Sequence, residues 1–440
     1  MEKKRQATPR ENAAEKLPPG DFEIVSHALP PIDFELFSEL AQCAFPQKFF
    51  VENRKRGIAE LGFGICKTFP AGAKTRCRRA DELTAEPDFF CALPFAGDAE
   101  KIVAHVAKWQ FSLAENARGN VLVSRNVSAE EPARTAREIE AEYEIFLQKI
   151  REQNARDSAF PKLENAREAG GKKRYLDACA DALDAISRNE FQKIVLARAI
   201  DFSAETEIPA EPLFAKIRKR FAARECTIFL FRESAEKTFL GATPEMIVGV
   251  KNGVVESEAI AGSLPNRGGN SFENDAEIGN FSSDEKELRE HRAVVDFIAE
   301  KFRSANLGEL NVPEKPEILR LPNVAHLRTP ISARTSAETS AFSLVKILHP
   351  TPAMCGVPAE KAFRKILETE PFSRENFAGP VGFFRANGEG FFAVGIRCAK
   401  ISGKNLRLYA GAGLVSGSIP EREFSEIDAK LAAIRDLLPR

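Results

Sequence analysis

The second half of the chain alternates helical and strand-like hydrophobic patterns at irregular intervals, which limits the possible folds more than any other feature. Apolar residues recur at helical spacing over 176–186, and an apolar run typical of a buried strand follows at 193–200. A second helical pattern at 213–221 precedes a strand-like run at 226–231, and 246–259 predicts a hairpin. This irregular order favours a mixed sheet over a regular barrel.

Composition narrows the class of protein. The 440 residues are 43% hydrophobic and 29% charged, as in soluble globular chains with one large or two medium cores. The 63 basic and 64 acidic residues leave a net charge of -1, and no uncharged run approaches the ~18 residues of a membrane span. We therefore expect a small-molecule ligand, with no nucleic-acid and no membrane partner.

The eight cysteines and the N-terminal region add few constraints. The cysteines are dispersed without a C-x-x-C pair, which favours reduced core thiols in a cytoplasmic enzyme over disulfides or a zinc site. Residues 1–19 are polar and predict a disordered arm. From 20 to 165 the clearest signal is an amphipathic helix, whose buried face would carry Ile139, Tyr143, Phe146 and Ile150.

Two predicted helices each carry a pair of glutamates three residues apart, beside an apolar stripe. Both helices are predicted to begin at a capping box, Ser282–Glu285 and Ser418–Glu421. Two converging pairs would suit a hard cation such as Mg²⁺. Acidic pairs at this spacing are also common as solvated surface charge, and the spacing alone favours that interpretation. The pairs are Glu287 with Glu290 and Glu423 with Glu426.

A series of short sequences around these helices resembles the chorismate-binding enzymes in content and in order. Singly they are weak signals, but jointly they are specific. They are Lys193–Arg198, Gly241–Glu245, Glu258–Ser263, Asp284–His291, Val324–Thr329, Leu348–Gly356, Phe377–Gly382, Gly395–Ala399, Tyr409–Gly413 and Gly417–Glu426.

The resemblance covers about residues 172–438 and implies an α+β fold. In that fold two large, mainly antiparallel sheets pack as a sandwich, with helices outside and the active site deep between the sheets. Residues 20–165 would complete the same single domain, 20–440, although they carry no motif that we can match.

The resemblance also assigns the binding residues. It implies that Glu290 and Glu426 hold a Mg²⁺ ion bound by the ring carboxylate of chorismate, with Glu287 and Glu423 as neighbouring or water-mediated ligands. An ion there is chemically sensible, because four glutamates would otherwise repel a dianionic substrate. Arg397 would pair with the carboxylate of the enolpyruvyl arm.

Further residues would surround the reacting ring. His326 matches the family histidine close to the ring, whereas we assign His291 and His349 to structure. The remaining predicted contacts are backbone groups at positions with small side chains, which let amides approach carboxylate oxygens. They are Gly262, Ser263, Gly411 and Gly413.

Members of this family attack chorismate at C2 and expel the C4 hydroxyl, and Lys193 favours water as the nucleophile. Lysine stands there in water-using members, whereas ammonia-using anthranilate and aminodeoxychorismate synthases usually have glutamine. We expect Lys193 to activate the water as a general base, for which burial would have to favour its neutral amine. Glu245 would be the general acid for the departing hydroxyl, which requires a raised pKa.

Other positions separate the possible products. Ala261 replaces the lysine that forms a covalent intermediate in some aminodeoxychorismate synthases, and Ala353 replaces the hydroxyl residue usual in enzymes that eliminate pyruvate. Both favour isochorismate as the product. Phe377 and Ser263 depart from the tyrosine and threonine of many relatives, and Phe377 removes a hydroxyl near the enolpyruvyl arm.

The sequence thus favours isochorismate synthase activity and leaves alternatives open. Salicylate synthase is the first of these, anthranilate or aminodeoxychorismate synthase component I the second, and a catalytically silent chorismate-binding subunit the third. We expect a monomer that needs no glutamine amidotransferase subunit. Whether the product serves menaquinone, siderophore or salicylate synthesis depends on neighbouring enzymes.

Overall fold

The computed structural model of the protein describes most of the chain in several stretches. The predicted disordered arm, 1–19, lies outside them. They are 22–70, 75–79, 87–96, 103–113, 121–128, 131–132, 134–154, 159–265, 275–321, 324–335 and 339–439.

Strands make up most of the regular structure and occur along the whole described chain. In chain order they are β1 (Phe22–Ile32), β2 (Lys48–Asn53), β3 (Ile58–Pro70), β4 (Thr75–Arg79), β5 (Phe89–Ala92), β6 (Val103–Leu113), β7 (Val121–Ser128), β8 (Glu164–Glu168), β9 (Lys193–Ser203), β10 (Thr227–Ser234), β11 (Lys237–Thr243), β12 (Met246–Lys251), β13 (Val254–Pro265), β14 (Leu310–Asn311), β15 (Glu317–Arg320), β16 (Val324–Arg334), β17 (Gly356–Val357), β18 (Pro380–Phe384), β19 (Gly390–Val394), β20 (Cys398–Ser402) and β21 (Asn405–Val415).

The helices are concentrated in the second half of the chain. They are α1 (Phe34–Leu40), α2 (Ala136–Asn154), α3 (Gly171–Ser187), α4 (Ala210–Phe221), α5 (Asp275–Ser283), α6 (Glu285–Ser304), α7 (Ala341–Leu348), α8 (Ala359–Thr369) and α9 (Pro420–Arg435), with a 3₁₀ turn at Arg54–Arg56. No helix in the described stretches is both long and apolar enough to cross a bilayer.

The strands form two hydrogen-bonded series that meet at β6. The first series runs β9, β21, β20, β11, β10, β2, β3, β6, and the second runs β6, β5, β18, β19, β12, β13, β16. β6 belongs to both because one of its edges pairs with β3, while the other pairs with β7 at one end and β5 at the other. Within the described residues every pairing is antiparallel except that of β1 with β4. β1, β4 and β7 extend the sheet beyond β6.

Helices cover the strand series through their apolar faces. α3, α4 and α9 contribute buried residues such as Phe214 and Ile427 to the core of the first series. α6 and α7 do the same for the second series, through residues such as Ile298 and Val345. This arrangement confirms the predicted α+β fold of mainly antiparallel strands with helices packed outside, although hydrogen bonds through β6 join the two series into one continuous sheet.

The predicted helices and strands of the second half are confirmed, as is the amphipathic helix at α2. Both predicted capping boxes are wrong. α6 begins at Glu285 and its N-cap is Asp284, whose carboxylate accepts from the backbone amides of Lys286 and Glu287. The Ser282 hydroxyl does not cap the helix, because it donates back to the Gly279 carbonyl.

At α9 the N-cap is Ile419, which has no side-chain capping bond, and Pro420 occupies the first turn as predicted. The Ser418 hydroxyl accepts from the Val415 amide of the preceding strand instead. A serine near a helix start therefore does not cap the helix when its hydroxyl bonds to a backbone group of the preceding segment instead.

Candidate active site

A cavity lies between the two strand series. Its walls come from β9 and β21 of the first series, β13 and β16 of the second, and the loops beside them. Ten of the predicted site residues line it: Glu245, Gly262, Ser263, Glu290, His326, Ala353, Phe377, Arg397, Gly411 and Gly413. The other four, Lys193, Glu287, Glu423 and Glu426, join its wall through hydrogen bonds or ion pairs.

Lys193 is the first residue of β9 and is buried against Glu290 of α6. Its Nζ lies 2.9 Å from Glu290 Oε1. Gly413 makes room for the pair, because a Cβ there would stand 2.5 Å from that oxygen and 3.2 Å from Lys193 Cε. The ion pair stabilises the ammonium, whereas a general base must be neutral. The amine therefore has to lose its proton before it can accept one from the attacking water.

Glu245 lies in the short connection between β11 and β12 and is buried. Its amide donates to Thr243 Oγ1 at 3.2 Å and its carbonyl accepts from the Val394 amide at 3.0 Å, which fixes the backbone. Burial raises the pKa of Glu245 to about 8, although Lys193 and Lys430 act in the opposite direction. The side chain is therefore mainly protonated near neutral pH and can donate a proton.

Lys286 bridges the two acidic helices. Its Nζ lies 3.2 Å from Glu287 of α6 and 3.3 Å from Glu423 of α9. Burial and the neighbouring Glu426 raise the pKa of Glu423 to about 7. Burial also raises the pKa of Glu287. The predicted convergence of the two acidic pairs is therefore present, with a lysine between them.

The other two glutamates also have lysine partners. Glu426 pairs with Lys430 one turn along α9 at 2.6 Å, and Lys430 donates to the Gly411 carbonyl at 3.0 Å. Burial disfavours the charged form of Glu290, but Lys193 outweighs it and lowers the pKa of this carboxyl. Three lysines thus face four glutamates, so acidic groups outnumber basic groups at this end of the cavity.

Arg397 is a buried cation at the opposite part of the site. It lies just before β20 with φ of 48°, a left-handed conformation that is uncommon outside glycine. Its carbonyl accepts from the Ala242 amide, and Gly241 leaves room for that approach. Burial lowers the pKa of Arg397 to about 10, so it stays charged. No carboxylate in the described part of the chain forms an ion pair with it.

His326 of β16 accepts a hydrogen bond from one edge of this guanidinium. Arg397 Nη2 lies 3.2 Å from His326 Nε2, and because the guanidinium can only donate, Nε2 accepts. His326 Nδ1 therefore carries the hydrogen and donates to the Gly262 carbonyl at 2.8 Å. Burial and Arg397 hold the pKa of His326 well below its ordinary value, so the ring is neutral.

Gly262 and Ser263 form an irregular bend in β13. Gly262 has φ of +75°, and the pairing of β13 with β16 shifts register there. The Ser263 amide donates to Glu287 Oε2 at 3.0 Å, and its hydroxyl lies 3.2 Å from His326 Nδ1. The bend therefore links the acidic end of the cavity to the His326 and Arg397 end.

Two predicted residues form the apolar wall. Ala353 lies in the turn that closes with the Met354 and Cys355 amides bonded to the Thr351 carbonyl. The Phe377 ring stacks on Tyr409, with centroids 5.0 Å apart and planes 7° apart. Phe377 thus presents a fixed aromatic edge to the cavity and no hydroxyl.

His291 and His349 lie outside the cavity lining. His291 Nε2 is 2.7 Å from Thr329 Oγ1, and His349 Nε2 is 3.3 Å from the Phe95 carbonyl. Burial lowers the pKa of each to about 4, so both are neutral.

The sequence profile of the chorismate binding enzyme family matches residues 11–439. The chain belongs to the chorismate-binding enzyme family. This match includes the region from 20 to 165, in which no family motif was recognised from the sequence.

Similar proteins of this family are isochorismate synthases. The chain is 38% identical to isochorismate synthase MenF of Bacillus subtilis over 262 residues, which are 59% of this chain and 54% of that protein. It is 36% identical to isochorismate synthase DhbC of Bacillus subtilis over 263 residues, 58% of this chain and 65% of that protein. The chain thus spans between half and two thirds of the length of these relatives.

Solved structures show the same fold. The structure of MenF, the menaquinone-specific isochorismate synthase from Escherichia coli, superposes with a TM-score of 0.79 at 24% identity, covering 97% of both chains. A putative isochorismate synthase DhbC from Bacillus anthracis gives 0.71 at 25% identity, covering 92% of this chain and 99% of that chain. The chorismate-utilising fold implied by the sequence is therefore confirmed.

The donor set at the acidic end fits the Mg²⁺ ion that the family implies. All four side chains supply hard carboxylate oxygens, and their mutual repulsion and burial raise the pKa of Glu423 and Glu287. Over the described residues, no three metal-ligating side chains stand close enough together to hold an ion as they are placed. A cation there would have to replace the bridge from Lys286.

Sequence reasoning missed two charged residues that line the cavity, Lys430 and Arg374. Lys430 could have been found from the sequence, because it stands four residues after Glu426 on a predicted helix, and side chains at that spacing lie next to each other. No sequence pattern pointed to Arg374, because it lies in an irregular segment after α8 and most of its partners are distant along the chain.

Proposed function

We propose that this chain is an isochorismate synthase, which converts chorismate reversibly to isochorismate with Mg²⁺ as cofactor. Water adds at C2 of the ring and the C4 hydroxyl leaves. The observation that carries the proposal is the polarity of the cavity: it has a carboxylate-rich end and a buried arginine, Arg397, that forms no ion pair with any carboxylate of the described residues. Family membership and the isochorismate synthases among its relatives support it.

Arg397 is the recognition group for the enolpyruvyl carboxylate. A buried guanidinium without an anionic partner is costly, and a substrate carboxylate that accepts two hydrogen bonds removes that cost. The hydrogen bond from Arg397 to neutral His326 holds one side of the guanidinium, which lines the cavity. His326 therefore orients the arginine and does not compete with the substrate for its charge.

Glu290 and Glu426 would hold the ion, with Glu287 and Glu423 beside them. Bound there, Mg²⁺ would supply positive charge to a site that otherwise repels the ring carboxylate of chorismate. The lysines that pair with these glutamates support this role, because they place positive charge where the ion would bind.

Lys193 and Glu245 divide the proton transfers. Lys193 accepts the proton of the water that attacks C2, and Glu245 delivers a proton to the C4 hydroxyl, which departs as water. The raised pKa of Glu245 supports its role as the acid, because a protonated carboxyl is available at neutral pH. Lys193 can accept this proton only when its amine is neutral, although the ion pair with Glu290 favours the charged amine.

The side chains near the ring favour isochorismate over later products. Ala261 offers no nucleophile for a covalent intermediate, and Ala353 offers no hydroxyl to the enolpyruvyl arm. Both line the cavity. We expect little pyruvate release, which separates this function from salicylate synthase.

The test is incubation of the purified protein with chorismate and Mg²⁺, followed by chromatography that separates isochorismate, salicylate and anthranilate. We expect isochorismate as the main product, with loss of activity in a chelator and return on adding Mg²⁺. Salicylate with stoichiometric pyruvate would assign the first alternative. Binding of chorismate without turnover would assign a silent subunit.

A further inference from the structure

Two side chains complete one edge of β9 at a place where none of the described strands pairs with it. Along its other edge β9 pairs with β21 over its whole length, whereas on this edge β17 covers only its start and β8 only its end. Between them the Ala197 amide donates to Glu370 Oε1 at 2.8 Å, and the Val195 carbonyl accepts from Arg374 Nη2 at 2.7 Å. One carboxylate and one guanidinium thus replace a strand's acceptor and donor.

Glu370 and Arg374 are also bound to each other. Arg374 Nε and Nη2 contact the two oxygens of Glu370 at 2.8 and 2.5 Å, and both side chains are at most 4% exposed. Arg374 Nη1 donates to the Met354 carbonyl at 2.8 Å. Because its charge is neutralised and its nitrogens are used, Arg374 is unlike Arg397 and is not a receptor for a substrate carboxylate.

This pair touches three separate parts of the cavity wall. Arg374 bonds β9 two residues after Lys193, and it bonds the turn that contains Ala353. It also lies 5.8 Å from the Phe377 ring centroid, and its carbonyl accepts from the Phe377 amide at 2.8 Å. The Phe95 ring packs on the guanidinium at 4.2 Å and holds it in place.

We propose that Glu370 and Arg374 form a positioning pair, which holds the Lys193 strand, the Ala353 turn and Phe377 in one arrangement around the reacting ring. The inference rests on the proposed isochorismate synthase activity. A misplacement of reacting groups by about 1 Å can lower a rate by about 10². A lysine keeps the charge at position 374, but its compact ammonium cannot span acceptors on three chain segments.

The experiment compares Arg374→Lys and Glu370→Gln with a matched control, Arg218→Lys. Arg218 is an equally buried arginine that bonds both oxygens of Glu52 and the Ser38 carbonyl, and it packs on a phenylalanine ring outside the cavity. For each protein we would measure kcat and the KM for chorismate in saturating Mg²⁺. The folded fraction would come from circular dichroism and thermal melting.

We expect kcat per folded molecule to fall about 10- to 100-fold in both test variants, with KM changed less than about threefold. Arg218→Lys should lower the melting temperature with kcat nearly unchanged. The double variant of Glu370 and Arg374 should lose no more activity than the more severe single variant, because both remove the same arrangement.

Each result has a defined meaning. A wild-type protein that makes no isochorismate overturns the proposed function, and the inference with it. The positioning role alone is overturned if the wild type is active and both test variants keep its kcat, whether or not their KM changes. If Arg374→Lys does not fold, Glu370→Gln decides, because its amide oxygen still accepts from Ala197 and only the charged bond to Arg374 is lost.

Discussion

The protonation of Glu245 gives a pH dependence that can be worked out from its surroundings. With a pKa of about 8 the carboxyl is about 90% protonated at pH 7, whereas the ordinary value of 4.5 would leave about 0.3% protonated. Burial therefore raises the fraction of competent acid roughly 300-fold. If Glu245 delivers the proton to the leaving hydroxyl, the fraction of competent acid falls about tenfold per pH unit above pH 8, and kcat follows the product of that fraction and the fraction of neutral Lys193.

The assay is initial isochorismate formation at saturating chorismate and Mg²⁺ between pH 6 and 10, with the enzyme-free reaction subtracted. By pH 10 only about 1% of Glu245 remains protonated. Glu245→Gln removes the proton and should lower kcat about 10² to 10⁴-fold with little change in chorismate binding. Since the folded pKa lies above the unfolded one, ionisation also weakens folding as pH rises, so circular dichroism must confirm the fold at each pH.

Glu258 provides a second perturbation of the same group. Its carboxylate contributes to the raised pKa of Glu245, and it is paired with Arg56 away from the reacting ring. Glu258→Gln should therefore move the alkaline decline to lower pH without abolishing turnover. A Glu245→Gln variant with more than a tenth of wild-type kcat would refute the assignment of Glu245 as the acid.

The remaining predictions concern the base, the ion and the product. Lys193→Ala should lower turnover about 10² to 10⁴-fold while chorismate binding stays measurable, and near-normal isochorismate formation would contradict its role. Glu290→Ala and Glu426→Ala should weaken Mg²⁺ binding in calorimetric titration, whereas Glu300→Ala, exposed farther along α6, should not; equal affinities would remove the metal site. Ala353→Thr should raise the ratio of pyruvate to isochorismate, measured with lactate dehydrogenase and chromatography, although the added bulk can lower total turnover. An unchanged ratio would show that this position does not select the product.

Many elements in the second half of the chain could be predicted because each depends on a hydrophobic pattern within one short segment. The stripe that buries Val295, Ile298 and Phe302 on α6 follows from helical spacing alone, and so does the buried face of α2. The hairpin of β12 and β13 follows from two apolar runs around Asn252 and Gly253. The motif residues that line the cavity were found from their order along the chain.

The strands of the first half were missed because their pattern depends on distant partners. Every residue of β2 is buried, including Lys48 and Glu52. Lys48 donates to the Cys43 carbonyl at 2.8 Å, and Glu52 is paired with Arg218 of α4. Charged residues inside a buried strand look like surface positions until the partner that neutralises them is known.

The sequence by itself determined the helices and strands of the second half, the family and ten of the residues that line the cavity. Only the tertiary structure decided which charges meet: Lys193 with Glu290, and Arg374 with the open edge of β9. The physical reason is that hydrophobic periodicity is written along one segment, whereas an ion pair depends on where two segments come together in space. For the same reason the sequence could name Arg397 as a binding residue but could not show that the fold leaves its charge without a carboxylate partner among the described residues.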